Sequence, residues 1–168
     1  ILLGKPFVPT DEAAGYVYSS NYPYTKLTDG IYNKDADGNK NVHIGMFAVK
    51  DVAGAHIEAT VELKGKYLLS ELRLYDYTTS SSSTRVGENI YIYARLSGEW
   101  KLIKSVEGLK NVLALKKTDA DNGVAYISLD VAGVEADAVK IYCVNAKGST
   151  QGFNMFEITC SGALIPEP

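Results

Sequence analysis

Residues 55–63 read Ala-His-Ile-Glu-Ala-Thr-Val-Glu-Leu, and their alternation decides the fold class. Ile57, Ala59, Val61 and Leu63 fall on one side of an extended chain, and Glu58, Thr60 and Glu62 on the other. A period of two marks a strand with one face buried. The same pattern returns in residues 68–75 with Leu72 and Leu74 inward, and in residues 89–96 with Ile90, Ile92 and Ala94 set against Tyr91, Tyr93 and Arg95. It recurs in Ala125, Ile127, Leu129 and Val131, then in Val139, Ile141 and Cys143, and finally in Phe156, Ile158 and Cys160. Gly65 reads as a turn between the first two strands. Ser97-Gly98-Glu99 reads as a tight turn into a strand over 100–106, Asn111 to Leu115 as a short strand, and Asp119 to Gly123 as a further turn. The serines and threonines of 78–84 cannot pack and predict an exposed loop. No window of useful length has helical periodicity. The chain is predicted to be all-β, a sandwich or barrel.

The 168 residues suit one domain, expected over 1–162, with the proline-bearing stretch 163–168 as the start of a linker. A hydrophobic share of 46% against 22% charged excludes a disordered chain. Seventeen basic against twenty acidic residues leave a net charge of -3, too little positive charge for nucleic acid or an anionic membrane as partner. No apolar run approaches the roughly twenty residues of a membrane helix. Beginning at Ile1 without a signal-peptide pattern, the chain reads as a piece excised from a longer protein with covalently linked neighbouring domains. Twelve tyrosines suit half-exposed strands and wet binding sites. Cys143 and Cys160 lie at inward positions of two strands; they form either a disulfide or two buried thiols, since spacing alone does not fix the geometry.

The early stretch 3–26 is dense in proline and glycine and reads as a long wrapping loop anchored by tyrosines. It leads into 26–45, KLTDGIYNKDADGNKNVHIG, which holds two Asp-Gly turns, three carboxylates and one of two histidines. Carboxylates and carbonyls in tight turns suit a hard cation such as calcium, which takes about six to eight oxygen ligands. The string Asp35-Ala-Asp37-Gly38 resembles an EF-hand start but fails it: the glycine comes early and Met46 stands where the bidentate glutamate belongs. It reads as a hairpin turn with solvated acids, as does Asp119-Ala-Asp121. Asp29 gains meaning beside Glu157, a carboxylate among inward-alternating neighbours of the last strand, which needs a partner. A cation supplied at the Asp29 loop is one reading; a plain rim glutamate is the other. No HExxH, GxSxG or phosphate-cradling loop is present, and no pair of acids stands out for glycoside hydrolysis, so the chain is not read as an enzyme.

Gly4-Lys5-Pro6, Leu27-Thr-Asp-Gly30, Glu62-Leu63, Leu72-Arg-Leu74, Asn89-Ile-Tyr-Ile-Tyr93, Ser97-Gly-Glu-Trp100 and Phe156-Glu-Ile158, taken in order, resemble the discoidin or coagulation-factor C-domain family. That resemblance covers nearly the whole chain and implies a jelly-roll β-sandwich of the galactose-binding-like kind. Bacterial members are carbohydrate-binding modules of secreted glycoside hydrolases. It implies a structural Ca2+ held by side-chain oxygens of Asp29 and Glu157 and backbone carbonyls of Lys26 and Phe156. Ile31 stands where the family often has a polar ligand, which moves that ligand to a carbonyl or to Asn33, Lys34 or Asp35. It implies a sugar site built from His43, Arg85, Asn89 and Phe153. The usual tryptophan after the Asp-Gly loop is missing, and Tyr32 or Phe47 would take its place. Apolar spikes like those of membrane-binding relatives are missing from Ser80 to Ser83, so no membrane insertion is expected. The expectation is a monomeric, secreted or cell-surface module that binds glycans bearing galactose-type or N-acetylated sugars. The competing expectation is a protein-docking or adhesion module on the same sandwich.

Overall fold

The computed structural model describes residues 1–2, 4–5, 8–9, 27–30, 46–47, 56–76, 78, 80–145 and 153–166; for 8–9, 46–47, 154 and 156 only the backbone is considered. The elements are β1 (Val8–Pro9), β2 (Met46–Phe47), β3 (His56–Asp76), β4 (Asn89–Leu96), β5 (Glu99–Glu107), α1 (Leu109–Ala114), β6 (Lys116–Asp119), β7 (Val124–Asp130), β8 (Glu135–Val144) and β9 (Asn154–Leu164).

The alternation that began at Ile57 does not end at Gly65. Residues 56–76 form one strand of 21 residues, bent at Lys64, whose φ is 56°, and at Gly65. The expected turn is therefore a bend inside β3, and the strand belongs to both halves of the sandwich. Its first part pairs antiparallel with β1 and β8, β8 with β4, and β4 with β5. Its second part pairs antiparallel with β9 and β7, β9 with β2, and β7 with β6. A register shift between Leu69 and Glu71 turns the inward positions from odd to even, so Ile57, Val61 and Leu63 share a core with Leu72 and Leu74. Ile90, Ile92, Ile127, Leu129, Ile141 and Ile158 complete that core from the other strands. This is an antiparallel jelly-roll β-sandwich closed around one apolar interior; the alternation predicts an all-β sandwich or barrel, and the family resemblance the jelly roll.

Ser97 and Gly98 join β4 to β5 with φ of 55° and 84°, the left-handed pair that a two-residue hairpin turn needs. The segment expected as a strand over 111–115 is instead part of α1, six residues with only Val112 fully buried. So short a helix shows no period to read. The boundary expected at 162 also moves: Ala163 and Leu164 finish β9 against Leu68 and Tyr67, and the Ile165 amide donates to the Lys66 carbonyl at 2.8 Å. Cys143 and Cys160 are both buried and unbonded to each other.

Candidate functional site

The first polar centre forms where the Leu27–Gly30 turn meets β9. Leu27 and Thr28 are fully buried. The Gly4 amide donates to the Thr28 carbonyl at 2.7 Å and Thr28 Oγ1 donates to the Lys5 carbonyl at 2.7 Å, which ties the turn to the Gly4-Lys5 segment. Below it, Ile158 pairs with Leu74 and Met155 with Asp76, so Phe156 and Glu157 together oppose the single residue Tyr75. Such a bulge re-aims a side chain locally. Glu157 is only 1% exposed, and the Gly30 amide donates to its Oε2 at 3.0 Å. Burial raises its carboxyl to about 9; the Gly30 hydrogen bond opposes this, while the neighbouring Asp29 charge reinforces it.

Asp29 and Glu157, separated by more than a hundred residues of chain, are thus brought together with side chains in hydrogen-bond contact. Buried beside a second carboxylate, Glu157 keeps its proton unless a cation takes its place, and a hard divalent ion fits that donor set. Phe156 contributes backbone to the same bulge. Lys26 lies outside the described residues, as do Tyr32, Asn33, Lys34 and Asp35. Among the described residues no group of three or more His, Cys, Asp or Glu side chains converges, so the remaining ligands of a cation here would be carbonyl oxygens or solvent.

The second centre surrounds the serine-rich loop. Asp76, at the end of β3, is 1% exposed and accepts the Thr78 and Arg85 amides on Oδ1, each at 3.0 Å. Its Oδ2 accepts Lys116 Nζ at 2.8 Å. The same ammonium donates to the Ser80 and Ser83 carbonyls, each at 2.8 Å, so all three of its protons are used. A loop without apolar anchors is thereby pinned from beneath by one buried ion pair. Sequence reading missed both partners: Asp76 looks like a strand-end acid, and Lys116 like half of a solvated Lys-Lys pair.

Arg85 sits on this pinned loop, half-buried, and its guanidinium has no hydrogen-bond or ion-pair partner among the described residues. Asn89 opens β4 just beyond it, and its Oδ1 accepts the Gly108 amide at 2.8 Å, which fixes the entry to α1. Phe153 departs from the expected platform. Its ring is 0% exposed and packs under the loop, where a Cβ on Gly87 would lie 2.9 Å from Cε1. It supports the loop from below, so a stacking face for a sugar must come from another aromatic residue. His43 lies outside the described residues. The Asp119 turn is structural: Oδ1 accepts the Asp121 and Asn122 amides and Oδ2 accepts Asn122 Nδ2.

The fold, with its bent shared strand and its turn clamped against β9, defines a galactose-binding-like β-sandwich, the scaffold of carbohydrate-binding modules and discoidin-like lectin domains. One similar solved structure is the C-terminal domain of a chitobiase from Bacteroides fragilis, with a TM-score of 0.61 at 14% identity over 98% of this chain and 99% of that one. Another is CBM32-3 of a family 31 glycoside hydrolase from Clostridium perfringens, with a TM-score of 0.57 at 12% identity over 94% of this chain and 90% of that one. A third, a CBM32-2 of a family 31 glycoside hydrolase bound to GalNAc, has a TM-score of 0.57 at 14% identity over 92% and 97%. No protein-family model and no curated protein sequence matches the chain.

Proposed function

We propose that this chain is a non-catalytic carbohydrate-binding module of a larger secreted or cell-surface protein, with galactose-type or N-acetylated sugars as its ligands. The observation that carries this is Arg85: a guanidinium with no partner among the described residues, on a loop whose backbone is locked by Asp76 and Lys116. Immobilising the backbone beforehand removes part of the ordering cost of binding. An arginine fork then grips adjacent hydroxyls at little further entropic cost. The fold shared with sugar-binding modules supports the same reading, including the GalNAc-bound one. Asn89 would add its amide nitrogen, and His43 a ring nitrogen.

The Asp29 and Glu157 corner is proposed to hold a structural calcium ion. Asp29 and Glu157 would supply side-chain oxygens, and Lys26 and Phe156 carbonyls. The ion would clamp the 27–30 turn onto β9 and take no part in chemistry.

Isothermal calorimetry with galactose and GalNAc, preceded by a glycan array, tests the sugar reading. Binding is expected for the wild type and lost in Arg85→Ala at unchanged melting temperature. Absence of any glycan binding, with Arg85→Ala indistinguishable from wild type, leaves the protein-docking alternative instead.

A further inference from the structure

Away from both centres, the outer face of the β5-β4-β8-β3 half carries a line of aromatic residues. In the cross-strand register Trp100 faces Arg95, Tyr93 faces Lys140, Tyr91 faces Tyr142, Tyr142 faces Glu58, and His56 faces Val144. On that grid the diagonal neighbours of Tyr93 are Trp100 on one side and Tyr142 on the other, and the diagonal neighbour of Tyr142 is His56. Trp100, Tyr93, Tyr142 and His56 therefore form a straight diagonal over four strands, with steps of about 7–8 Å.

The line is held rigidly. The His56 and Tyr142 ring centroids are 5.3 Å apart, and Tyr91 flanks Tyr142 at 5.8 Å. At the other end Lys140 Nζ lies 5.1 Å from the Trp100 ring and 5.0 Å from the Tyr93 ring, and Arg95 lies 5.5 Å from Trp100. Trp100 remains 36% exposed and Leu102 beside it 52%, while Tyr93, Tyr142 and His56 are half-buried. The inward faces of these strands already fill the core, so folding does not require an aromatic track outside.

Charge and shape select the occupant. Arg95 is paired with Glu62 and Asp137, and Lys140 with Glu58 at 3.7 Å. Both cations that lie on the track are thus neutralised on the same face, and neither is left to attract a polyanion. The apolar groups step across the sheet one strand at a time, with Tyr91 and Leu102 alongside, and form a strip, whereas a folded protein partner needs a broad apolar centre inside a polar rim. Aromatic rings set one to a strand, turned by 48° between His56 and Tyr142 and edged by Lys140 and Arg95, match a linear, twisting chain of sugar rings with apolar C–H faces and hydroxyl edges.

We propose that the Trp100-Tyr93-Tyr142-His56 diagonal is a second glycan-binding surface, which takes a linear, uncharged polysaccharide along the sheet. It stands independently of the Arg85 site. The diagonal runs from Trp100 toward the end of the sheet where β4 begins, the end that carries the Arg85 loop.

Native affinity electrophoresis of the full chain in gels containing xylan, hydroxyethyl cellulose or, as anionic control, polygalacturonate tests this. Trp100 is the only tryptophan, so its emission reports on this face alone. At least one neutral polymer should retard the wild type and shift that emission to the blue. Trp100→Ala and Tyr93→Leu should each weaken retardation at least tenfold at unchanged melting temperature. Retardation by no neutral polymer, by polygalacturonate alone, or undiminished in both Trp100→Ala and Tyr93→Leu overturns the proposal. A small sugar gripped through Arg85 leaves the emission unmoved, so the two sites can fail separately.

Discussion

Asp76 and Lys116, forty residues apart, meet at 2.8 Å with side chains 0% and 7% exposed, and between them they collect two backbone amides and two carbonyls from the 78–85 loop. Removing one partner leaves the other charge buried and unpaired. Lys116→Met should lower the unfolding free energy by about 3–5 kcal/mol. Adding Asp76→Asn should cost much less than the two single changes summed, because the groups are coupled. Urea denaturation of the four proteins checks this; additive effects would mean the pair is not acting as a unit.

Glu157 gives the cation-free protein a definite pH dependence. Its carboxyl is raised to about 9 in the folded state from an ordinary value of 4.5. Below the lower value both folded and unfolded states are protonated and the folded state has its full stability. As pH rises through the window the unfolded chain releases the proton and the folded one retains it, so stability falls until about pH 9. In chelator, melting temperature should drop between pH 5 and 8. Millimolar calcium should reverse the trend by displacing the proton, and Glu157→Gln should abolish both dependences. Scanning fluorimetry decides it; a chelated protein with a flat profile and no response to calcium refutes the cation site.

Gly87 has a φ of 107°, and a Cβ there would meet Phe153 Cε1 at 2.9 Å and Cys143 Cβ at 3.2 Å. Gly87→Ala combines backbone strain with overpacking and should cost about 2–4 kcal/mol. At Gly98, φ is 84° but no atom lies within 4 Å of the added methyl. Gly98→Ala should cost about 1 kcal/mol from strain alone. Calorimetric melting of the two variants separates the effects.

Cys143 is buried, which drives its thiol well above the usual range, and burial raises Cys160 to about 11. Neither forms appreciable thiolate at neutral pH. Ellman's reagent should therefore react slowly with the native protein and count two thiols in denaturant, with or without prior reductant. A count that rises only after reduction would show a disulfide.

Strands β3, β4, β7, β8 and β9 were legible because each carries an apolar stripe of period two, and the 97–98 hairpin because Ser-Gly suits its left-handed turn; β6, Lys116-Lys-Thr-Asp119, has no apolar stripe to read. Glu157 was legible as an acid in an otherwise apolar frame. Other features depended on partners distant in the chain. Gly65 looks the same in a turn and in a bend, and only pairing with both β8 and β9 distinguishes them. Phe153 looks like an exposed aromatic until its place beneath Gly87 is known. The diagonal from Trp100 to His56 needs the register of four strands, which local pattern does not contain.

The bent strand β3 also sets an order of events for the nascent chain. Among the described residues, every strand that pairs with it apart from β1 lies between Val124 and Leu164. The first half cannot close before β8 is synthesised, nor the second before β9, so the sandwich is completed late and through long-range contacts, which are slow to form. Until that moment the apolar stripe of 57–74 is an unshielded strand, and the charges at Glu58, Glu62, Lys64, Lys66, Glu71 and Arg73 interrupt it often enough to discourage pairing with a neighbour.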